Sequence, residues 1–174
     1  MIDIHSLFVD AVCTTVSLQP TADADVFVVN FQKEETRISL RSFSMVRLVA
    51  SGRVQYTVFD RYFNTKGTFW RNGQKKLSSI TFPKLKSMII GHSVIGADMM
   101  NDRDILIKFD NAAELNFIVD ASPTEEDDEV HRIIIKEETE RKNSSSEHTV
   151  IFRDNTVEEF EKLLAGNIIH KIRN

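Results

Sequence analysis

The sequence predicts a mainly β protein: an antiparallel meander, folded as a sandwich or an open barrel, with one helix at the C-terminus. Two observations predict this class. Short runs of apolar residues, many of them alternating with polar ones, recur along the chain, and turn signals separate these runs. The 174 residues, 41% apolar and 28% charged, suit one globular domain spanning 1–174.

Strand patterns dominate the first half of the chain. Alternation from Val12 to Leu18 predicts a half-buried strand that ends at Pro20. The apolar runs VFVVNF, SMVRLV and VQYTVF predict further strands, with Gly52 in a turn. LSSITF also has a strand pattern and ends before Pro83, whereas KLKSMIIG suits either a short helical turn or the lead-in to the next strand.

The second half continues in the same way. HSVIGADMM, DILIKF and ELNFIV predict three strands, and Asp110-Asn111 predicts a hairpin tip because both residues tolerate the left-handed region. VHRIII and HTVIFR predict two more strands. Between them, residues 137–147 are polar and serine-rich, which suits a mobile loop or an extended hairpin tip.

A C-terminal helix is predicted from a local capping pattern. Thr156 followed by Glu159 matches the T-x-x-E capping box. The apolar residues of this segment fall on one helical face, and Gly166 supplies a stop. We therefore expect a helix over about 157–165, packed on the sheets.

The two halves of the chain, 1–90 and 91–174, follow a similar pattern and differ in charge. Residues 26–40 and 105–119 both have a strand–turn–strand form, which predicts two related sheet units. Residues 1–91 carry 12 Lys and Arg against 7 Asp and Glu, whereas residues 92–174 carry 10 against 19. The resulting net charges are +5 and −9.

Motifs that would indicate an enzyme are missing from the sequence. It contains no P-loop, no dinucleotide-binding glycine pattern, no H-E-x-x-H and no G-x-S-x-G. Cys13 is the only cysteine, and its strand-like context predicts a buried structural thiol. We expect a non-enzymatic protein without cofactor or metal. No long apolar run and no basic leader occur, so a cytoplasmic location is expected.

An acidic run is the sharpest local signal. Five adjacent carboxylates at 125–129 repel one another, so they need solvent or a cationic partner. Clustered carboxylates attract a basic protein and accelerate its association. The sequence therefore predicts a contact surface made of this run and acids of the loop that follows: Glu125, Glu126, Asp127, Asp128, Glu129, Glu137, Glu138 and Glu140.

A second hypothesis comes from the basic first half. Aromatic residues alternate with cations there, a combination that binds single-stranded nucleic acid by stacking and phosphate pairing. The residues are Arg37, Arg41, Arg47, Arg53, Arg61, Lys66, Arg71, Lys75, Lys76, Lys84 and Lys86, with Tyr62, Phe69 and Trp70. The acidic overall balance, with a pI of about 5.7, argues against this hypothesis.

A third hypothesis is a metal-dependent enzyme. Asp98, Asp102 and Asp104 lie in or beside a predicted turn, and paired carboxylates serve acid–base chemistry or bind divalent ions. Acids in turns more often cap the local backbone, so the expectation remains a protein without a metal site.

The segment 91–135 carries a resemblance to a known family. A glycine-led strand at Gly91, a hairpin ending in Phe109-Asp110-Asn111 and an apolar return strand make it similar to a family of small uncharacterised bacterial β-proteins. By its class character the chain also resembles immunity proteins of bacterial toxin systems. This likeness implies a cytoplasmic inhibitor that binds and blocks a toxin, which is the function we expect. The acidic run, and not the likeness, is what predicts that residues 125–129 contact a basic partner.

Overall fold

The computed structural model describes residues 2–20, 25–101, 103–119, 129–139, 144–153, 156–163 and 168–172. Its described part forms two open antiparallel sheets that pack as a sandwich around one apolar core. The seven-stranded sheet has the order β1-β2-β3-β9-β10-β11-β12. The five-stranded sheet has the order β5-β4-β8-β7-β6.

In the larger sheet β3 alternates in burial, as a strand covered on one face does, whereas residues 26–29 of β2 are all buried. The bounds of the strands in this sheet are β1 Val12–Pro20, β2 Asp25–Lys33, β3 Thr36–Ser42, β9 Glu129–Thr139, β10 Ser144–Arg153, β11 Val157–Leu163 and β12 Ile168–Ile172. The smaller sheet contains β4 Met45–Ala50, β5 Arg53–Thr57, β6 Val94–Met100, β7 Asp104–Phe109 and β8 Ala113–Ile118.

Two α-helices and one 3-10 helix complete the described part. They are α1 Ile4–Phe8, the 3-10 helix Val58–Tyr62 and α2 Ser78–Ile89. Each α-helix contributes two buried residues to the core, Ile4 and Phe8 from α1 and Leu85 and Ile89 from α2. Within the described residues, no helix has both the length and the apolar character needed to cross a bilayer.

The predicted mainly β fold with antiparallel hairpins is confirmed. The strand–turn–strand segments at 26–40 and 105–119 are the hairpins β2–β3 and β7–β8. Asp110-Asn111 forms the predicted tip, and Ala112 takes the left-handed conformation beside it, with a φ of 62°. Segment 137–147 belongs largely to an extended hairpin, because β9 and β10 stay paired as far as Thr139 and Ser144.

The predicted C-terminal helix is wrong: Val157–Leu163 is the strand β11. This strand pairs in register with β10, and Phe160 lies opposite Thr149. Side chains of β11 also contact β10: Glu158 pairs with Arg153 at 3.3 Å, and Glu159 Oε2 lies 3.6 Å from His148 Nε2. The segment forms a strand because pairing with β10 covers the open edge of that strand, and this pairing stabilises the chain more than a capped helix would.

The strand expected at LSSITF is also wrong, because this segment opens α2. Phe82, Leu85 and Ile89 follow the helical spacing and point into the core, where Phe82 meets Phe27 edge-on at 6.4 Å. The undecided segment after Pro83 is helical to Ile89. Gly91, with a φ of 84°, then turns the chain toward β6.

Both sheets take strands from both halves of the chain. β1–β2–β3 form a meander in one sheet, and the next pair, β4–β5, crosses to the other sheet and joins β8. Likewise β6–β7–β8 form a meander, and the following β9–β10 cross back and join β3. A helix precedes each meander, so the two halves exchange strand pairs reciprocally.

The starts of the two meanders meet directly. Hydrogen bonds run from the Asp10 amide to the Val94 carbonyl at 2.9 Å and from the Val94 amide to the Ala11 carbonyl at 2.8 Å. Deeper in the core, Phe31 of β2 and Phe109 of β7 stack with their ring centroids 6.5 Å apart. Each of these residues lies in the first strand of its hairpin, so the β2–β3 and β7–β8 hairpins contact each other in the core here.

A histidine is buried between the sheets. The His131 side chain is fully buried on β9, with Nδ1 3.1 Å from the Ser42 hydroxyl on β3. The rings of Phe117 and Phe152 lie 6.1 and 6.4 Å from the imidazole. Burial disfavours the imidazolium and lowers the pKa of His131 to about 4, so this residue is neutral in the folded protein at neutral pH.

Replacing Phe31 by Ala should lower the free energy of unfolding by about 3–5 kcal/mol, because a buried ring is lost and a cavity remains. Phe31 is 1% exposed and also meets Phe8 edge-on at 5.1 Å. Urea denaturation measures the loss. Phe69→Ala, at a residue 75% exposed, is the matched control and should cost less than about 1 kcal/mol. Equal losses in the two variants would contradict the core position of Phe31.

Acidification should destabilise the protein between about pH 6.5 and about pH 4 through His131. The unfolded chain protonates His131 below its ordinary pKa of 6.5, while the folded chain resists until about 4. The contribution of His131 to the free energy of unfolding is therefore fully present above pH 6.5. It decreases as the pH falls toward 4, by roughly 3 kcal/mol in total. Urea denaturation across this range should show a shallower pH dependence for His131→Gln; an identical dependence would contradict the assignment.

Candidate nucleic-acid interface

The strongest concentration of positive charge lies between β5 and β6. We call residues 58–86 the basic aromatic segment; it comprises the 3-10 helix, an ordered loop and most of α2. It carries seven Lys and Arg against one acid, Asp60, a net charge of +6. This segment alone exceeds the +5 of residues 1–91, so the rest of that half is slightly acidic.

The loop at 63–77 is organised by Asn64, which is 4% exposed. Its amide nitrogen donates to the Thr68 hydroxyl at 2.6 Å and to Gln74 Oε1 at 2.9 Å. Its amide oxygen accepts from the backbone amides of Lys66 at 2.9 Å and Thr68 at 3.2 Å. One side chain thus ties both arms of the loop together and satisfies its own polar atoms.

Further backbone contacts close this loop against its flanks. The Trp70 amide donates to the Tyr62 carbonyl at 2.8 Å, and the Leu77 amide donates to the Phe63 carbonyl at 2.8 Å. Gly67 and Gly73 both take a positive φ, 78° and 84°, at the two turns of the loop. The loop is therefore preorganised, which reduces the entropy lost when a ligand binds.

One aromatic ring of this loop, that of Phe69, is largely exposed to solvent. Phe69 is 75% exposed, and its ring stacks on Phe63 with the centroids 5.3 Å apart and 20° between the planes. Beside it, Trp70 is held by a hydrogen bond from its indole nitrogen to the Gln74 carbonyl at 2.8 Å. Lys76 Nζ lies 4.6 Å from the centroid of the Trp70 ring.

A second aromatic pair lies on the 3-10 helix. The rings of Phe59 and Tyr62 are 6.4 Å apart, and each is about half exposed. Arg61 lies over the Tyr62 ring, 4.6 Å from its centroid, and pairs with Asp25 at the start of β2. Phe59, Arg61 and Tyr62 line a depression of about 160 Å³ with β1, β2 and the β3–β4 turn.

The basic residues proposed from the sequence do not form one surface, and two of them, Arg47 and Arg53, lie on β4 and β5 of the smaller sheet. Lys66, Arg71 and Lys75 lie in the loop beside Phe69, whereas Arg37 and Arg41 lie on β3 of the larger sheet. The outer position of Arg41 follows from its burial pattern, because Leu40 and Ser42 on either side are buried. Sequence order alone grouped residues that the fold places on both sheets and in the connection between β5 and β6.

Most of the predicted acidic contact lies outside the described residues. This is true of residues 125–128 and of Glu140, and for Glu138 only the backbone in β9 is described. Glu129 is half-buried and pairs with Arg132 at 2.5 Å. Glu137 is exposed and borders a depression of about 380 Å³ together with Lys33 and His148. The predicted contact surface therefore stays a prediction, and one of its acids has a local partner.

The carboxylates of the metal hypothesis have local roles where they are described. Asp104 accepts a hydrogen bond from the Val119 amide at 2.8 Å, and Asp98 lies 3.9 Å from Lys108 Nζ. Asp102 lies outside the described residues. Among the residues that the structure describes, no group of three His, Cys, Asp or Glu is placed to hold a metal ion.

Cys13 is the buried thiol that the sequence predicts. Desolvation raises its pKa to about 12, so the thiolate needed for nucleophilic attack does not form near neutral pH. Its backbone joins the contact between the two meanders, since the Cys13 amide donates to the His92 carbonyl at 3.0 Å. The residue therefore serves the core.

The chain matches no protein-family model, and it has no significant match among curated proteins or solved structures. The two resemblances drawn from the sequence are therefore not tested by these comparisons. The function has to be argued from the basic aromatic segment and the surfaces around it.

Sequence reasoning identified Tyr62, Phe69 and Trp70 but missed the residues that position them. Phe63 supports the Phe69 ring, and Asn64 holds the loop. The signal was present: two turn patterns, from Asn64 to Gly67 and at Asn72-Gly73, enclose the aromatic pair. A loop with a turn at each end and aromatic residues between them has a defined shape.

Asn64→Asp should open the loop without unfolding the sheets. The substitution keeps the acceptor but places a carboxylate oxygen against Thr68 and Gln74 where the amide nitrogen donated. A lost buried hydrogen bond costs about 1–3 kcal/mol, so trypsin should cleave at Lys66, Arg71 or Lys75 roughly tenfold faster or more.

Asn72→Asp is the matched control, because it adds the same charge at an exposed position of the same loop. Its cleavage rate and the melting temperatures of both variants should stay close to those of the wild-type protein. Equal cleavage rates in the two variants would show that Asn64 does not organise the loop.

Proposed function

We propose that the protein is a non-enzymatic binding module that holds single-stranded nucleic acid on the basic aromatic segment. The observation that carries this proposal is Phe69, a ring three-quarters exposed and supported from below by Phe63. Among the described residues Phe69 is the most exposed of the large apolar side chains, and its solvent-facing ring can stack on a base.

The surrounding charge supports the same ligand. Lys66, Arg71 and Lys75 lie in the same loop as Phe69, and their exposed side chains are available to phosphates. Single-stranded nucleic acid offers both an aromatic face and a phosphate for every nucleotide, which matches alternating rings and cations. A duplex keeps its bases stacked internally and would use only the cations.

The acidic remainder of the chain does not oppose this function. Net charge is −4 overall, but +6 is confined to the basic aromatic segment. At physiological ionic strength, charges are screened over about 8 Å, so a polyanion responds mainly to the local surface. Acidic surfaces elsewhere would orient a polyanion toward this segment.

Binding of a basic toxin through acids 125–129 stays a second proposal. It is supported by five adjacent carboxylates in the sequence. Glu129 is already paired with Arg132. The two proposals predict opposite ligands, a polyanion and a basic protein, so one titration with oligonucleotides separates them.

Phe69→Ala should weaken binding to an oligothymidylate about fifteen nucleotides long by about 1–3 kcal/mol, since one stacked base is lost. In the double variant Lys75→Gln, Lys76→Gln, the slope of the logarithm of the binding constant against the logarithm of the salt concentration should become shallower by about 0.7 for each lost phosphate contact. Fluorescence anisotropy at about 50 and about 200 mM salt measures both effects.

Matched controls lie on the smaller sheet. Ile95→Ala removes an exposed apolar side chain of β6, and Lys108→Gln removes a cation of β7; both should leave affinity unchanged. The wild-type protein should bind a duplex of the same length more weakly than the single strand. No binding at the lower salt concentration, or equal losses in the control variants, would reject the proposal.

A further inference from the structure

Three half-exposed aromatic rings surround the depression beside the 3-10 helix. Phe43, Phe59 and Tyr62 border it, and their exposed fractions are 43%, 48% and 47%. Apolar side chains of β1, β4 and the 3-10 helix add to the lining, and the ion pair of Asp25 with Arg61 adds a polar edge. An apolar concavity with a few polar groups at its edge is typical of a ligand site. We call this site the aromatic depression.

Hydrogen bonds fix the backbone that carries these rings. A capping box holds the first turn of the 3-10 helix: the Thr57 hydroxyl accepts from the Phe59 amide at 3.0 Å, and the Asp60 carboxylate accepts from the Thr57 amide at 3.3 Å. In the β3–β4 turn, the Phe43 amide donates to the Val130 carbonyl at 3.0 Å. The backbone of the aromatic depression therefore needs little ordering when a ligand binds.

The ion pair supplies a hydrogen-bond donor next to an acceptor. Arg61 donates to the Asp25 carboxylate, and the two side chains remain 30% and 32% exposed. A guanidinium has several donors and a carboxylate has several lone pairs, so both groups keep hydrogen-bonding capacity after they pair. Arg61 also lies over the Tyr62 ring, 4.6 Å from its centroid. A ligand in the aromatic depression thus meets a ring face and a polar edge together.

The volume of the aromatic depression, about 160 Å³, limits what it can hold. An engineered cavity of about 150 Å³ in another protein binds benzene, so one six-membered ring fits this volume. The second ring of a purine would extend beyond the apolar lining. A pyrimidine base has one six-membered ring, and its edge carries a donor next to an acceptor, which matches Asp25 and Arg61.

The aromatic depression is close in the chain to the exposed ring of Phe69. Tyr62 directly precedes Phe63, which stacks on Phe69 with the ring centroids 5.3 Å apart. The Trp70 amide donates to the Tyr62 carbonyl at 2.8 Å, so the two aromatic pairs also share a backbone contact. A single strand stacked on Phe69 can place another of its bases in the aromatic depression.

We propose that the aromatic depression takes one pyrimidine base of the bound single strand and makes binding selective for pyrimidines. This inference rests on the proposed function and adds a sequence preference to it. Phe59 and Tyr62 contact the base ring, while Asp25 and Arg61 hydrogen-bond to its edge. Phe69 differs from this site because an open ring stacks on any base.

The test compares oligothymidylate with oligoadenylate, each about fifteen nucleotides long, by fluorescence anisotropy of the full chain at about 50 mM salt. We call the ratio of the two dissociation constants the pyrimidine preference. The wild-type protein should prefer oligothymidylate, and Phe59→Ala should reduce this preference about fivefold or more, the effect of losing one stacked base. Oligoadenylate also stacks on itself, so the change in preference between variants decides the outcome.

Phe69→Ala is the matched control, because it removes another exposed ring of the same segment from outside the aromatic depression. It should weaken binding of both strands and leave the pyrimidine preference unchanged. Asp25→Ala is a second variant and should also reduce the preference. If its carboxylate only repelled phosphates, its loss would instead tighten binding of both strands equally.

The outcomes distinguish this inference from the proposed function. If the wild-type protein binds both strands and Phe59→Ala and Asp25→Ala keep its pyrimidine preference, the inference is overturned and single-strand binding stands. If the wild-type protein binds neither strand, both are overturned. A Tm close to that of the wild-type protein is expected for Phe59→Ala, since the ring is half exposed, and it shows that a lost preference does not come from unfolding.

Discussion

The reciprocal exchange of strand pairs is the constraint on which the rest of the structure depends. β3 needs β9 and β4 needs β8, so neither sheet is complete without strands from the other half of the chain. The apolar faces that these strands cover belong to one continuous core. Such pairings join residues far apart in sequence, and folding that depends on them is slow because large loops must close first. The position of every surface described above follows from this arrangement.

Strands were predictable wherever alternation in the sequence coincides with burial on one face, as in β3 and β7. The two errors have the same physical origin. At 157–163 a local capping pattern suggested a helix, but pairing with β10 decided the outcome. At 78–82 the β-branched Ile80 and Thr81 suggested a strand, yet Phe82, Leu85 and Ile89 gain more by lying along one helical face. Tertiary contacts that no local pattern contains outweighed intrinsic propensity in both places.

The candidate surfaces were predictable in composition and not in arrangement. Aromatic and basic residues of the first half were visible as a group in the sequence. The ion pair at the edge of the aromatic depression joins Arg61 to Asp25, which lies 36 residues earlier in the chain. The role of Asn64 depends on Gln74 folding back across the loop. Both relations arise from chain reversals, so composition could indicate the chemistry but could not show which residues lie together.

The charge difference between the two halves of the chain does not become a charge difference between the two sheets. Because the halves exchange strands, each sheet contains basic and acidic stretches, and the positive excess is concentrated in the connection between β5 and β6. That connection is also the link between the two meanders. A break in its loop would leave β3–β9 and β4–β8 still paired across the cut. The chain would then persist as a two-piece assembly held by its sheets, and its covalent continuity at this point would matter less than the strand exchange.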